Sequence, residues 1–101
     1  MVRLVQVNLE RGGYEVVCAF SEREALEKIA NEDPNFIIID VTEPDLDGYA
    51  LTRQIKHNPA TESLRVMLII PSNAESEIAK AKSSGADRYF ILPMNPIHLP
   101  R

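Results

Sequence analysis

Two stretches leave this chain few ways to fold. FIIID at 36–40 and VMLII at 66–70 are continuous apolar runs, not alternating ones. A strand that alternates apolar and polar residues can face water on one side. A strand that is apolar at every position needs cover on both faces, as central strands of a parallel sheet do. The chain must therefore supply helices above and below such a sheet.

The segments between the runs have helical character. VRLVQVNLER (2–11) places Val2, Val5 and Leu9 at helical spacing, with Leu4 widening the stripe. Gly12 and Gly13 then supply a stop. YEVVCAF (14–20) is rich in β-branched and aromatic residues and predicts a strand. Ser21 to Glu24 reads S-x-x-E, a capping box, and Ala25, Leu26, Ile29 and Ala30 give the following helix its buried face until Asp33-Pro34 ends it. Asp47-Gly48 opens another helix to about Lys56, with Asp47 as N-cap and Leu51 and Ile55 one turn apart. Ser72 to Glu75 is a second S-x-x-E box, whose helix runs to about Ser84 and stops at Gly85. RYFIL (88–92) predicts the last strand, and Pro93, Pro96 and Pro100 make the tail irregular. The order is α-β-α-β-α-β-α-β, an α/β architecture with a parallel sheet. In such sheets the functional crevice lies at the carboxyl ends of the strands, which is where Asp40 falls.

Composition narrows the function classes. With 101 residues a single domain is expected. A net charge of −4 argues against a nucleic-acid binder, which needs a basic surface to displace counterions. The one cysteine, Cys18, cannot form an intramolecular disulfide and reads as a small buried apolar residue. No stretch reaches the roughly 18 apolar residues of a membrane helix, and a cytoplasmic location is expected. Glu43, Asp45, Asp47 and Gly48 imitate the first half of a calcium loop, but the required bidentate glutamate would fall at Gln54. His57 and His98 have no neighbouring cysteine or second histidine, so no zinc site is expected. No glycine-rich phosphate loop is present. Lys80, Lys82 and Arg88 read as a solvated face.

Asp40 at the end of an apolar strand, followed by Pro44 and Asp47-Gly48, resembles the phosphoacceptor strand and loop of response-regulator receiver domains. SGADRYFILP (84–93) is similar to their approach to the fifth strand, and VRLVQVNLERGGYEVV to their first helix and second strand. The resemblance covers nearly the whole chain. It implies a flavodoxin-like three-layer α/β/α fold over residues 1–101, incomplete at its N-terminus, without the usual first strand and with a shortened last helix. It implies a signalling module of a two-component phosphorelay, not an ordinary enzyme. Its partner would be a histidine kinase or other signalling protein, and the face of the fourth helix and fifth strand would be a homodimer surface.

The same resemblance places Asp40 at the phosphoacceptor position and the Thr42 carbonyl at a backbone metal ligand, with Mg²⁺ the implied but weakly indicated ion. The family's acidic pair after the first strand has no counterpart. Its lysine position is Leu92, its hydroxyl position is Ile70, and its switch aromatic is Tyr89. Ser72 lies two residues beyond Ile70 and offers a substitute hydroxyl. These departures point to a degenerate receiver acting through protein–protein contacts. The alternatives are a working Mg²⁺-dependent phosphoacceptor, and a structural remnant or fragment that supports a larger assembly. Loss of a central strand allows three outcomes: its neighbours pair directly, two chains share elements, or the rest of a longer chain completes the sheet.

Overall fold

The computed structural model describes residues 2–91. The elements run α1 (Val2–Arg11), β1 (Val16–Ala19), α2 (Glu22–Glu32), β2 (Phe36–Asp40), α3 (Gly48–Lys56), β3 (Arg65–Ile70), α4 (Glu75–Ser83) and β4 (Arg88–Ile91). This is the alternation expected from the sequence. The four strands form one sheet in the order β1-β2-β3-β4, and every neighbouring pair is parallel.

The two apolar runs are the central strands. Ile37, Ile38 and Ile39 of β2, and Val66, Leu68, Ile69 and Ile70 of β3, are essentially sealed from solvent. Side chains alternate between two cores. On one face Val17, Ala19, Ile37, Ile39, Val66, Leu68 and Ile70 pack with Ala25 of α2, Leu51 and Ile55 of α3, and Ala81 of α4. On the other, Val16, Cys18, Phe36, Ile38, Met67 and Ile69 meet Leu9 of α1 and Phe90 of β4. Helices thus lie on both faces, giving the three expected layers. Among the described residues no helix is long and apolar enough to cross a membrane.

β1 pairs with β2 itself, Val16 opposite Phe36 through Ala19 opposite Ile39. The two strands pair directly in this structure, and both keep a continuous ladder. β1 lies at one end of the sheet. There Lys28 of α2 donates to the Cys18 carbonyl at 3.0 Å, while Glu24 stands 3.7 Å from the same ammonium. Cys18 is buried, as expected, and its thiol donates to Gln6 Oε1 at 3.2 Å.

Three local expectations need correction. The strand expected over 14–20 is confined to Val16–Ala19, and Tyr14 and Phe20 are 48% and 51% exposed. The backbone on either side is engaged elsewhere: Glu15 N–H donates to the Asn35 side chain, and Phe20 N–H to the Glu24 carboxylate. Leu26 and Ala30 are not on the buried face of α2; Leu26 is 38% exposed and Ala30 is exposed as well. Ala25 is sealed and Ile29 partly buried against the core, so the face turned inward is narrower than the spacing predicted. The second S-x-x-E stretch forms no capping box. Ser72 Oγ accepts from Ala74 N–H at 3.3 Å, the N-cap of α4 is Ala74, and no side chain caps that helix. The first box does cap its helix, with Ser21 Oγ accepting from Glu24 N–H at 3.1 Å. The end of the predicted last strand at Leu92, and the proline-rich tail with His98, lie outside the described residues.

Candidate functional site

Asp40 is the last residue of β2, opposite Ile69 of β3, and is half-buried. Parallel pairing on both sides of β2 brings its carboxyl end to one pole of the molecule, where the loops to α3 and α4 begin. The chain turns sharply there. Asp40 Oδ1 accepts from Thr42 N–H at 2.9 Å and from Thr42 Oγ1 at 2.6 Å, and the Asp40 carbonyl accepts from Glu43 N–H at 3.2 Å. One carboxylate oxygen therefore organises the loop. Among the described residues no hydrogen bond reaches Oδ2. Thr42 meets Asp40 through its amide and hydroxyl.

The helix after this loop is fixed by two sequence features. Asp47 caps α3, its Oδ1 accepting from Ala50 N–H at 3.0 Å, as expected. Gly48 is buried so close to the end of β2 that a Cβ there would stand 2.9 Å from both Ile39 Cγ2 and Val41 Cγ1. Those two residues flank Asp40. Tyr49 follows, and its hydroxyl donates to Glu77 Oε2 of α4 at 2.6 Å. Burial, then the hydrogen bond to Glu77 and that carboxylate's charge, push the Tyr49 phenol well above its ordinary range, so it stays a proton donor.

Ile70 is fully buried in the core beneath α2, α3 and α4, and Tyr89 is half-buried against the same core. No hydroxyl or amide at Ile70's side chain can meet an anion near Asp40. Leu92 lies outside the described residues. Lys80, Lys82 and Arg88 are exposed. His57 is the C-cap of α3, with Nδ1 2.8 Å from the Arg53 carbonyl, a structural placement. Among the described residues no three acidic, histidine or cysteine side chains converge as a metal would require. Among the described residues Asp40, with one carboxylate oxygen already engaged, and the Thr42 carbonyl supply fewer oxygens than the octahedral array that Mg²⁺ demands. A cavity of about 410 Å³ lined by Tyr14, Asp33, Asn35, Phe36, Thr61 and Arg65 lies at the opposite pole, by the amino ends of β2 and β3.

Sequence reasoning missed the Tyr49–Glu77 pair. Its partners are 28 positions apart and share no periodic relation, so only the packing of α4 beside α3 brings them together.

The comparisons with known proteins agree with this architecture. The family model for the response regulator receiver domain matches residues 1–101. The chain is 33% identical, over 95% of its length, to the alkaline phosphatase synthesis transcriptional regulatory protein PhoP of Bacillus subtilis, and covers 39% of that protein. It is 33% identical over 92% of its length to the protein PilG of Pseudomonas aeruginosa, covering 69% of it. Among solved structures, the signal receiver domain of a signal transduction histidine kinase from Syntrophus aciditrophicus superposes with a TM-score of 0.72 at 28% identity, covering 95% of this chain and 73% of the other. The chain belongs to the response-regulator receiver family. Receiver domains are modules of two-component signalling that work with histidine kinases and other signalling proteins.

Proposed function

We propose that this chain is one receiver unit, spanning residues 1–101, that has Asp40 at the phosphoacceptor position and signals through protein–protein contact in place of ordinary phosphotransfer. The observation that supports this reading is the surroundings of Asp40. A phosphoryl group on that carboxylate would bring negative charge beside a strand whose neighbouring position, Ile70, is sealed and apolar. Anionic groups need preorganised donors or cations to be stabilised in a partly dry site. Here one carboxylate oxygen is already spent on Thr42, and, among the described residues, no second acid stands by to share a metal.

The partner in this reading is a histidine kinase or another signalling protein, met in the cytoplasm. The exposed Lys80, Lys82 and Arg88 put positive charge on the α4–β4 face, which supports that face as the contact surface, for a partner or for a second copy. The net charge of −4 gives no support to direct nucleic-acid binding.

Native mass spectrometry with acetyl phosphate, with and without Mg²⁺, on the wild type and Asp40→Ala tests the reading. The expected result is that neither protein gains a phosphoryl adduct. An adduct on the wild type alone would establish Asp40 as a working phosphoacceptor. Binding to a histidine kinase is expected to weaken in Asp40→Ala. Unchanged binding would instead assign the domain a supporting role in a larger assembly.

A further inference from the structure

α4 is fastened very differently at its two ends. At the carboxyl end Ala81 is fully buried, Ser84 is fully buried with Oγ donating to the Ala81 carbonyl at 2.6 Å, and Gly85 turns the chain at φ +88° into β4. At the amino end no side chain caps the helix. Ser72, which could have done so, bonds to Ala74 instead. Glu75, Ser76 and Ala79 are exposed, and Ile78 is only partly buried. The one side-chain hydrogen bond joining the first two turns of α4 to another element, among the described residues, is Tyr49 Oη to Glu77.

Tyr49 is itself anchored on the strand that carries Asp40. It follows Gly48, whose backbone lies against Ile39 and Val41, the two neighbours of Asp40. A continuous set of contacts therefore runs from the end of β2, through the first turn of α3, to the amino half of α4. At such a contact a bond to a carboxylate is stronger than one between neutral groups. Glu77 is also favoured in the first turn of its helix by the dipole, so its charge is held at that place.

We propose that Tyr49 is a positioning residue, whose bond to Glu77 sets where the amino half of α4 sits relative to the Asp40 loop and couples the two. The tether itself stands on the geometry alone. The coupling to Asp40 rests on the proposed role of that residue, and the experiment separates the two.

Amide hydrogen exchange of the full chain is followed in the wild type, Tyr49→Phe, Glu77→Ala and Glu77→Gln, without any phosphoryl analogue. Loss of the bond is expected to raise exchange in the first two turns of α4 about tenfold in Tyr49→Phe and Glu77→Ala. Exchange in α2 and in the carboxyl half of α3 is expected to stay as in the wild type. Glu77→Gln keeps an acceptor oxygen and is expected to restore most of the protection. The double variant Tyr49→Phe/Glu77→Ala is expected to be no worse than either single one, because both remove the same bond. Unchanged α4 exchange in Tyr49→Phe would overturn the tether, as would additive effects in the double variant.

The coupling is read by placing Asp40→Ala in two backgrounds, the wild type and Tyr49→Phe. It is expected to change α4 protection in the first and not in the second. Equal response in both backgrounds would remove the coupling. Beryllofluoride with Mg²⁺ is then added to the wild type as a phosphoryl mimic, with Asp40→Ala as the binding control. Uptake of the mimic would overturn the reading of Asp40 as a non-working acceptor and leave the tether standing.

Discussion

Gly48 has no space for a side chain, because the first turn of α3 is pressed onto the end of β2. Adding a methyl group would drive it to 2.9 Å from Ile39 Cγ2 and Val41 Cγ1, and β-branched side chains on a strand have little freedom to retreat. Gly48→Ala is expected to destabilise the fold by about 1–3 kcal/mol, as overpacking does, read as a lower urea midpoint at unchanged slope. The glycine was legible as part of a helix-opening Asp47-Gly48 pair, and so was the cap made by Asp47. The close approach was not, since it depends on how far α3 is tilted onto the strand. Asp40 was likewise legible as a strand-end acid, whereas its bonds to Thr42 depend on a turn whose shape no periodicity fixes.

Elements with the same local pattern can end up built differently. Ser21-x-x-Glu24 and Ser72-x-x-Glu75 read alike, yet only the first serine caps a helix. The Ser72 hydroxyl accepts from an amide two residues on, which makes a turn, so the helix begins later, at Glu75. Ser21→Ala is expected to cost about 1 kcal/mol, the usual loss at a capping position. Ser72→Ala is expected to cost less than about 0.5 kcal/mol. Paired thermal or urea denaturation of the two variants checks the contrast, and equal losses would mean that both serines serve their helices alike. The strand expected over 14–20 shows the same limit. Propensity identified Val16–Ala19, but the flanking backbone groups of Glu15 and Phe20 were claimed by Asn35 and Glu24, which lie elsewhere in the sequence.

At the scale of the molecule, the layers and the parallel direction of the sheet followed from two uninterrupted apolar runs between amphipathic helices. Strand neighbours did not, because direct pairing of β1 with β2 satisfies the same backbone groups that a strand between them would. Three elements are joined far from Asp40 by Asp87. Its Oδ2 accepts from Lys56 Nζ at 2.9 Å and from Val66 N–H at 2.8 Å, while Lys56 also donates to the Leu64 carbonyl at 3.0 Å. The pair ties the end of α3 to the starts of β3 and β4. With Lys56 side-chain exposure at only 17%, removal of Asp87 leaves donors short of a partner. Asp87→Ala is expected to lower stability by about 1–3 kcal/mol, with Asp87→Asn losing less because it keeps an acceptor for Val66 N–H; denaturation midpoints of both variants test this. β1 is an edge strand of the sheet. A foreign strand zipping on beside β1 would need the Cys18 carbonyl, and would first have to displace the Lys28 ammonium that already holds it. One lysine thereby acts as a doorstop, discouraging these sheets from stacking edge to edge into fibrils.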